Sequence, residues 1–251
     1  MHCPIRLIAS FFAACALAIA LTTGVVAQAT PAAPQVFTEP PQAVELSFDP
    51  AVDLQTVQLV VIAPNGARAD DGVSRTTAID TRSTLLRAGL GDGDYLVYWI
   101  SGPAGKRAEQ FGQQTFTVEG STSCVTAASA TPQADACLAD PVTGKPGTAI
   151  ESNGISVTVQ VSSDQAGPVD LSATIADAAG TPIEGANVIF RARHLEMNHG
   201  ELPYLAAETS PGVYAASGVG MGMGGDWRIA VDVTLPDQLP VTVFVEQTMS
   251  E

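Results

Sequence analysis

An all-β chain of two immunoglobulin-like β-sandwich domains, joined by a Ser/Thr/Ala/Pro-rich linker, is what this sequence predicts. Three observations lead there. Short runs alternate apolar and polar residues at period two, turn-forming Gly, Asn and Asp residues separate these runs, and an aperiodic stretch near the middle divides them into two sets.

In the first set, Ala43–Phe48 alternates cleanly, whereas Val57–Ile62 is more continuously apolar, as a strand covered on both faces would be. Asn65-Gly66 then supplies a turn. Asp94–Trp99, preceded by the turn-forming Gly91-Asp92-Gly93, and Gln114–Val118 are two further strands, and no stretch here keeps a 3.6-residue apolar period with caps. From 120 to 150 the apolar periodicity disappears and Ser, Thr, Ala, Pro and Gly dominate, the composition of a linker. In the second set, Ile155–Val161 and Val169–Ile175 alternate, Asp177–Gly180 turns the chain, and Asn187–Arg193, Gly212–Ala216, Trp227–Val233 and Val241–Val245 complete the pattern. About seven strands in about 95 residues suit an immunoglobulin-like sandwich.

The N-terminus reads as a targeting segment. His2 and Arg6 precede an apolar stretch from Leu7 to Ala27, and Ala27-Gln28-Ala29 fits the small-x-small rule for signal peptidase. The alternative is an uncleaved anchor, since the stretch approaches the ~20 residues that span a bilayer. No later stretch is long and apolar enough for a membrane span. The expected organisation is a signal peptide at 1–29, a Pro/Ala-rich tether at 30–41, a sandwich at 42–119, a linker at 120–150 and a second sandwich at 151–246. Export to the periplasm, cell surface or medium follows from the signal. Of the four cysteines, Cys124 and Cys137 remain after processing, and an exported chain with two cysteines favours a disulfide between them. A thiolate metal pair or redox couple is the other reading, but the spacing resembles neither C-x-x-C nor a zinc pattern.

Charge narrows the function. With 11 Lys and Arg against 26 Asp and Glu the formal charge is −15, a surface that repels phosphate backbones and argues against nucleic-acid partners. No G-x-S-x-G, H-E-x-x-H or glycine-rich phosphate loop occurs, and the sequence reads as a non-enzyme, with an unrecognised hydrolase as the weak alternative.

The soft metal donors are unevenly placed. His194, Met197, His199, Met221 and Met223 all fall within residues 194–223, in the segments His194-Leu-Glu-Met197-Asn-His199-Gly200 and Gly220-Met221-Gly-Met223-Gly-Gly225-Asp-Trp227. Residues two apart on an extended chain share a face, so Met197 can project with His199 and Met221 with Met223. Thioethers select Cu(I), and imidazole suits either copper state. These five residues are therefore the candidate ligands of a copper ion, Cu(I) favoured over Cu(II). The competing reading makes the methionines flexible core filler under Trp227.

From these residues a family resemblance follows. The Met/His cluster after a strand, then Pro211-Gly-Val-Tyr214, then Met223-Gly-Gly-Asp-Trp227 leading into Arg228–Val231, resembles the YtkA/FixH-like domain over roughly residues 150–246. That resemblance implies an exported copper-handling or oxidase-assembly role, with another copper-handling or membrane protein as partner. Residues from about 38 to 119 resemble the CopC copper-resistance domain through Pro41–Phe48, Leu90–Trp99 and Gly112–Val118. The family pattern has a histidine at the mature N-terminus and another after the tryptophan strand. Here no histidine lies between His2 and His194, and Lys106-Arg107 stands where the second is expected. The resemblance thus implies a scaffold or docking module without the family's Cu(II) site. Together these features point to an exported, non-catalytic copper-handling protein, with a metal-independent interaction module as the alternative.

Overall fold

The computed structural model describes residues 18–20, 35–49, 52–107, 109–121, 138–197 and 201–251. The first half contains β1 (Ala18–Ala20), β2 (Gln35–Phe37), β3 (Ala43–Ser47), β4 (Gln58–Ile62), β5 (Arg75–Ala78), β6 (Thr81–Leu85), β7 (Gly93–Ser101), β8 (Lys106–Arg107) and β9 (Gln110–Val118). The second contains β10 (Val142–Gly144), β11 (Ala149–Ser152), β12 (Ile155–Val161), β13 (Gly167–Asp177), β14 (Asn187–His194), β15 (Leu202–Leu205), β16 (Ala207–Ser210), β17 (Val213–Met221), β18 (Gly225–Thr234) and β19 (Val241–Met249). One 3-10 turn, Leu54–Thr56, is the sole helical element among the described residues. No helix there is long and apolar enough to cross a membrane.

In the first half, a sheet ordered β1-β3-β6-β5 faces one ordered β2-β9-β7-β4. The alternation of Ala43–Ser47 sends Val44 and Leu46 inward, where they meet Leu59, Val61, Val97 and Trp99. Aromatic rings fill the rest, with Tyr95 stacked on Phe116 at 4.9 Å and Phe48 edge-on to Trp99 at 5.4 Å. In the second half, a sheet ordered β11-β12-β13-β17-β16 packs on one ordered β10-β19-β18-β14-β15-β8. Here Ile155, Val157, Val159, Leu171, Ala173 and Ile175 face Val188, Phe190, Ile229, Val231 and Val243 across the core. The two-sandwich, all-β architecture is as the sequence predicts.

Several boundaries lie elsewhere than the composition suggests. Gln35–Phe37, inside the stretch read as a tether, runs parallel to β9 in the register Gln35↔Phe116, and the Phe37 ring meets Phe116 at 5.8 Å. Within the stretch read as linker, β10 lies parallel to β19 and β11 pairs with β12. Pro and Gly make both segments look unstructured, yet short edge strands need only a few inward apolar residues such as Ile150. Ala18–Ala20, in the apolar segment read as signal peptide, runs parallel to β3. The expected cleavage site at Ala27–Ala29 and the expected Cys124–Cys137 disulfide lie outside the described residues.

The halves are docked against each other. A third apolar cluster, Val60, Ile62, Tyr98 and Ile100 with Ile189, joins the outer face of the β2-β9-β7-β4 sheet to the outer face of β14. This explains why Val57–Ile62 is apolar on both sides: Leu59 and Val61 serve the first core, Val60 and Ile62 the interface. In addition, β8 from the first half pairs with β15, in the register Tyr204↔Arg107 and Leu205↔Lys106, and so becomes an edge strand of the second half's sheet.

Candidate metal centre

The two donor-bearing segments meet at one end of the second sandwich. Antiparallel pairing of β14 with β18 sets His194 opposite Trp227, and the Leu195 amide donates to the Asp226 carbonyl at 2.8 Å. The connection from β17 to β18 crosses between the two sheets here, carrying Gly222, Met223 and Gly224. The Trp227 indole donates to the Met223 carbonyl at 3.0 Å, and the His194 ring stands edge-on to Trp227 at 5.2 Å. Gly225 has φ +113, and a Cβ there would lie 2.7 Å from His194 Nε2, so this glycine both turns the chain and makes room for the imidazole.

The side chains at this end differ in what they can offer. His194 is 5% exposed; its Nε2 lies 2.9 Å from the Gly224 carbonyl oxygen, and its Nδ1 accepts the Glu196 amide at 3.2 Å. Both ring nitrogens are engaged. Met221, 0% exposed, belongs to the hydrophobic core with Trp227, Tyr204 and Met249, as the last inward residue of β17. Met223 is half-buried and packs against the margin of that core. Met197 is 39% exposed. His199 lies outside the described residues. The accessible donors are thus Met197 and Met223; using His194 requires breaking its bond to Gly224, and using Met221 requires opening the strand end. Among the described residues no group of three or more His, Cys, Asp or Glu side chains is placed to hold a metal ion.

Sequence reasoning passed over a set of buried charges between the halves. Arg191, 0% exposed in mid-β14, donates from Nε to Asp232 Oδ2 at 2.7 Å and from Nη2 to Asp232 Oδ1 at 3.1 Å. It also pairs through Nη1 with Glu201, and Nη2 donates to the Gly66 carbonyl of the first half at 2.8 Å. Thr242 donates to Asp232 at 2.8 Å and accepts the Arg68 amide at 3.0 Å, while Arg68 forks Asp70. Burial by itself would lower Arg191, but Asp232 and then Glu201 beside it hold the guanidinium above its ordinary value. The available clue was an Arg and an Asp inside runs that otherwise read as core strands, Asn187–Arg193 and Trp227–Val233.

The segment where the CopC resemblance expects a ligand is occupied in the same docking. The Gly105 amide donates to the Leu205 carbonyl at 2.7 Å, and the Ser217 amide to the Gly105 carbonyl at 3.2 Å, leading into the β8–β15 pairing.

Comparison with known proteins gives two family matches: residues 26–119 match the CopC domain and residues 151–232 match the YtkA-like family. No curated protein matches the chain. Among solved structures, a tetra-tandem repeat from the extending region of a large adhesion protein is 15% identical with a TM-score of 0.30, covering 77% of this chain and 41% of that one. The Escherichia coli adhesin FdeC is 16% identical with a TM-score of 0.30, over 78% of this chain and 54% of that one. An amphioxus IgVJ-C2 molecule is 10% identical with a TM-score of 0.20, over 84% and 99%. The chain thus spans about half the length of the adhesin structures it is similar to. What the comparisons show is a likeness of each half: residues 26–119 are similar to the CopC domain and residues 151–232 to the YtkA-like family.

Proposed function

We propose that this protein is an exported, non-catalytic copper-handling protein whose YtkA-like domain presents soft donors at the end of the sandwich where β14 and the β17–β18 connection meet. Copper is its cargo. Met197 and Met223 are the first contacts, and His199 completes the set from the same segment as Met197. His194 joins when its ring leaves the Gly224 carbonyl and the Glu196 amide, its proton passing from Nε2 to Nδ1 so that Nε2 is free to donate. Met221 supports this end from within the core. Thioether and imidazole donors favour Cu(I), and placement at an edge allows release by ligand exchange. The observation carrying this reading is the adjacency of the two donor-bearing segments through His194 and Gly224, 2.9 Å apart, in a chain with two copper-associated domains.

Titration of the apoprotein with Cu(I) against a competing chelator tests it. The expected result is stoichiometric binding that falls at least tenfold in a Met197→Leu/Met223→Leu/His199→Ala variant. Absence of binding, or binding unchanged in that variant, rejects the site. A metal-independent interaction module is the second reading, favoured by the burial of Met221 and the fully engaged His194 ring. It predicts that Cu(I) changes neither thermal stability nor partner binding.

A further inference from the structure

The connection between β14 and β15 begins at Leu195 and ends at Glu201, and it carries Met197. Its far end is tied down by an ion pair, for Glu201 reaches back to Arg191, three residues before the end of β14. Arg191 is itself oriented by two bonds to Asp232 on the neighbouring strand and by one to the Gly66 carbonyl, across the domain boundary. Tyr98 of the first domain is buried in the apolar cluster that takes in Ile189 of β14, two residues before Arg191. The first domain therefore holds the arginine of this ion pair directly, through the Gly66 carbonyl.

The strength of such a tie comes from burial. A guanidinium wholly withdrawn from water needs each of its N–H donors matched, and removing one acceptor leaves a charge uncompensated. Movement of Gly66 away from Arg191 therefore disturbs Glu201 as well, because both compete for the orientation of one rigid planar group. Close packing fixes the position of Gly66. Its φ is +84, and a Cβ on it would lie 2.7 Å from the Phe244 ring on β19 of the second sandwich.

Resting on the donor-edge reading above, we propose that the CopC domain is a positioning platform for the donor edge of the YtkA-like domain. In this role Gly66 holds Arg191 and, through it, Glu201, so that Cu(I) binding at Met197 and Met223 is coupled to the docking of the two domains. The domain has given up its own ligand position, now an edge strand at Lys106-Arg107, and acts on copper through its neighbour. Coupling of this kind is reciprocal: whatever loosens the interface weakens Cu(I) binding, and Cu(I) tightens the interface.

The test uses the full chain in three forms: wild type, Gly66→Ala, and Glu201→Gln, with Gly66→Ala/Phe244→Leu as a rescue that relieves the contact at the ring. Two quantities are read, Cu(I) affinity by chelator competition and amide hydrogen exchange of residues 201–205 without metal. Expected are a loss of affinity of about tenfold and faster exchange in both single variants, with partial recovery of both in the rescue. Wild-type binding that is unchanged in Gly66→Ala and Glu201→Gln overturns the coupling while leaving the donor edge standing. A wild type that binds no Cu(I) overturns the donor edge instead. In that event unaltered exchange at 201–205 in both variants also removes the anchoring, whereas faster exchange retains it as a purely structural tie.

Discussion

The imidazole of His194 is held between the carbonyl oxygen of Gly224, 2.9 Å from Nε2, and the amide of Glu196, 3.2 Å from Nδ1. A carbonyl can only accept and an amide can only donate, so Nε2 is the donor to Gly224 and Nδ1 the acceptor from Glu196. It fastens the end of β14 to the β17–β18 connection. His194→Ala leaves the Gly224 carbonyl without its donor and is expected to lower stability by about 1–3 kcal/mol, read by chemical denaturation. If copper recruits this ring, nitrogen NMR of the imidazole will lose the Nε2–H signal on addition of Cu(I). An Nε2–H signal that persists at saturation, with the Nδ1 shift also unmoved, limits binding to the other donors.

The methionines separate into two kinds. Met221→Ala opens a cavity in the core and is expected to destabilise by about 2–5 kcal/mol, whereas Met197→Ala, on an exposed side chain, stays within about 0.5 kcal/mol. For Cu(I) the order reverses: Met221→Leu keeps the volume and leaves affinity unchanged, while Met223→Leu lowers it. A loss of affinity in Met221→Leu equal to that in Met223→Leu contradicts the placement of Met221 as a supporting core residue.

Arg191→Met strands the carboxylates of Asp232 and Glu201 in the interface without their cation. A loss of about 3–5 kcal/mol is expected. The exposed pair Arg228–Glu246, at 2.8 Å, is the control. Glu246→Gln is expected to change stability by no more than about 1 kcal/mol. Equal effects of the two substitutions in denaturant titrations argue that the interface charges are open to water.

Acid sensitivity has a named contributor. The Glu208 carboxylate accepts the Gly185 amide at 3.0 Å and the Gly212 amide at 3.1 Å, and these bonds, in that order, hold it below its ordinary value of 4.5. A carboxyl depressed in the folded state stabilises the fold above its ordinary range and loses that effect as pH falls through the folded value. The thermal midpoint of the wild type is therefore expected to fall more steeply below about pH 4.5 than that of Glu208→Gln. Identical slopes in the two proteins count against this role for Glu208.

Much of the fold was legible because strand alternation is a local property. Ile155–Val161 and Val169–Ile175 read as half-buried strands, and Ile155, Val157, Val159, Val169, Leu171 and Ile175 are inward. The continuous apolar run at Val57–Ile62 called for cover on both faces, though not for the second domain as the cover. Less could be read at the donor edge. Period two puts Met221 and Met223 on one side, but the strand ends at Met221 and the chain leaves for the other sheet. A register shift between Val169 and Leu171, opposite β17, also sets which face Met221 takes. The charges at Arg191, Asp232 and Glu201 lie far enough apart along the chain that only folding reveals them as one group.

Local chemistry alone settled the all-β character, the two sandwiches and the crowding of soft donors into residues 194–223, since each depends on side-chain type and spacing over a few residues. Tertiary packing decided which donors face water, which are sealed in the core, and that Gly66 of one domain touches the ion pair of the other. Those outcomes depend on strand register and on two sheets meeting face to face, and contacts between residues more than a hundred positions apart leave no periodic trace in either stretch of chain.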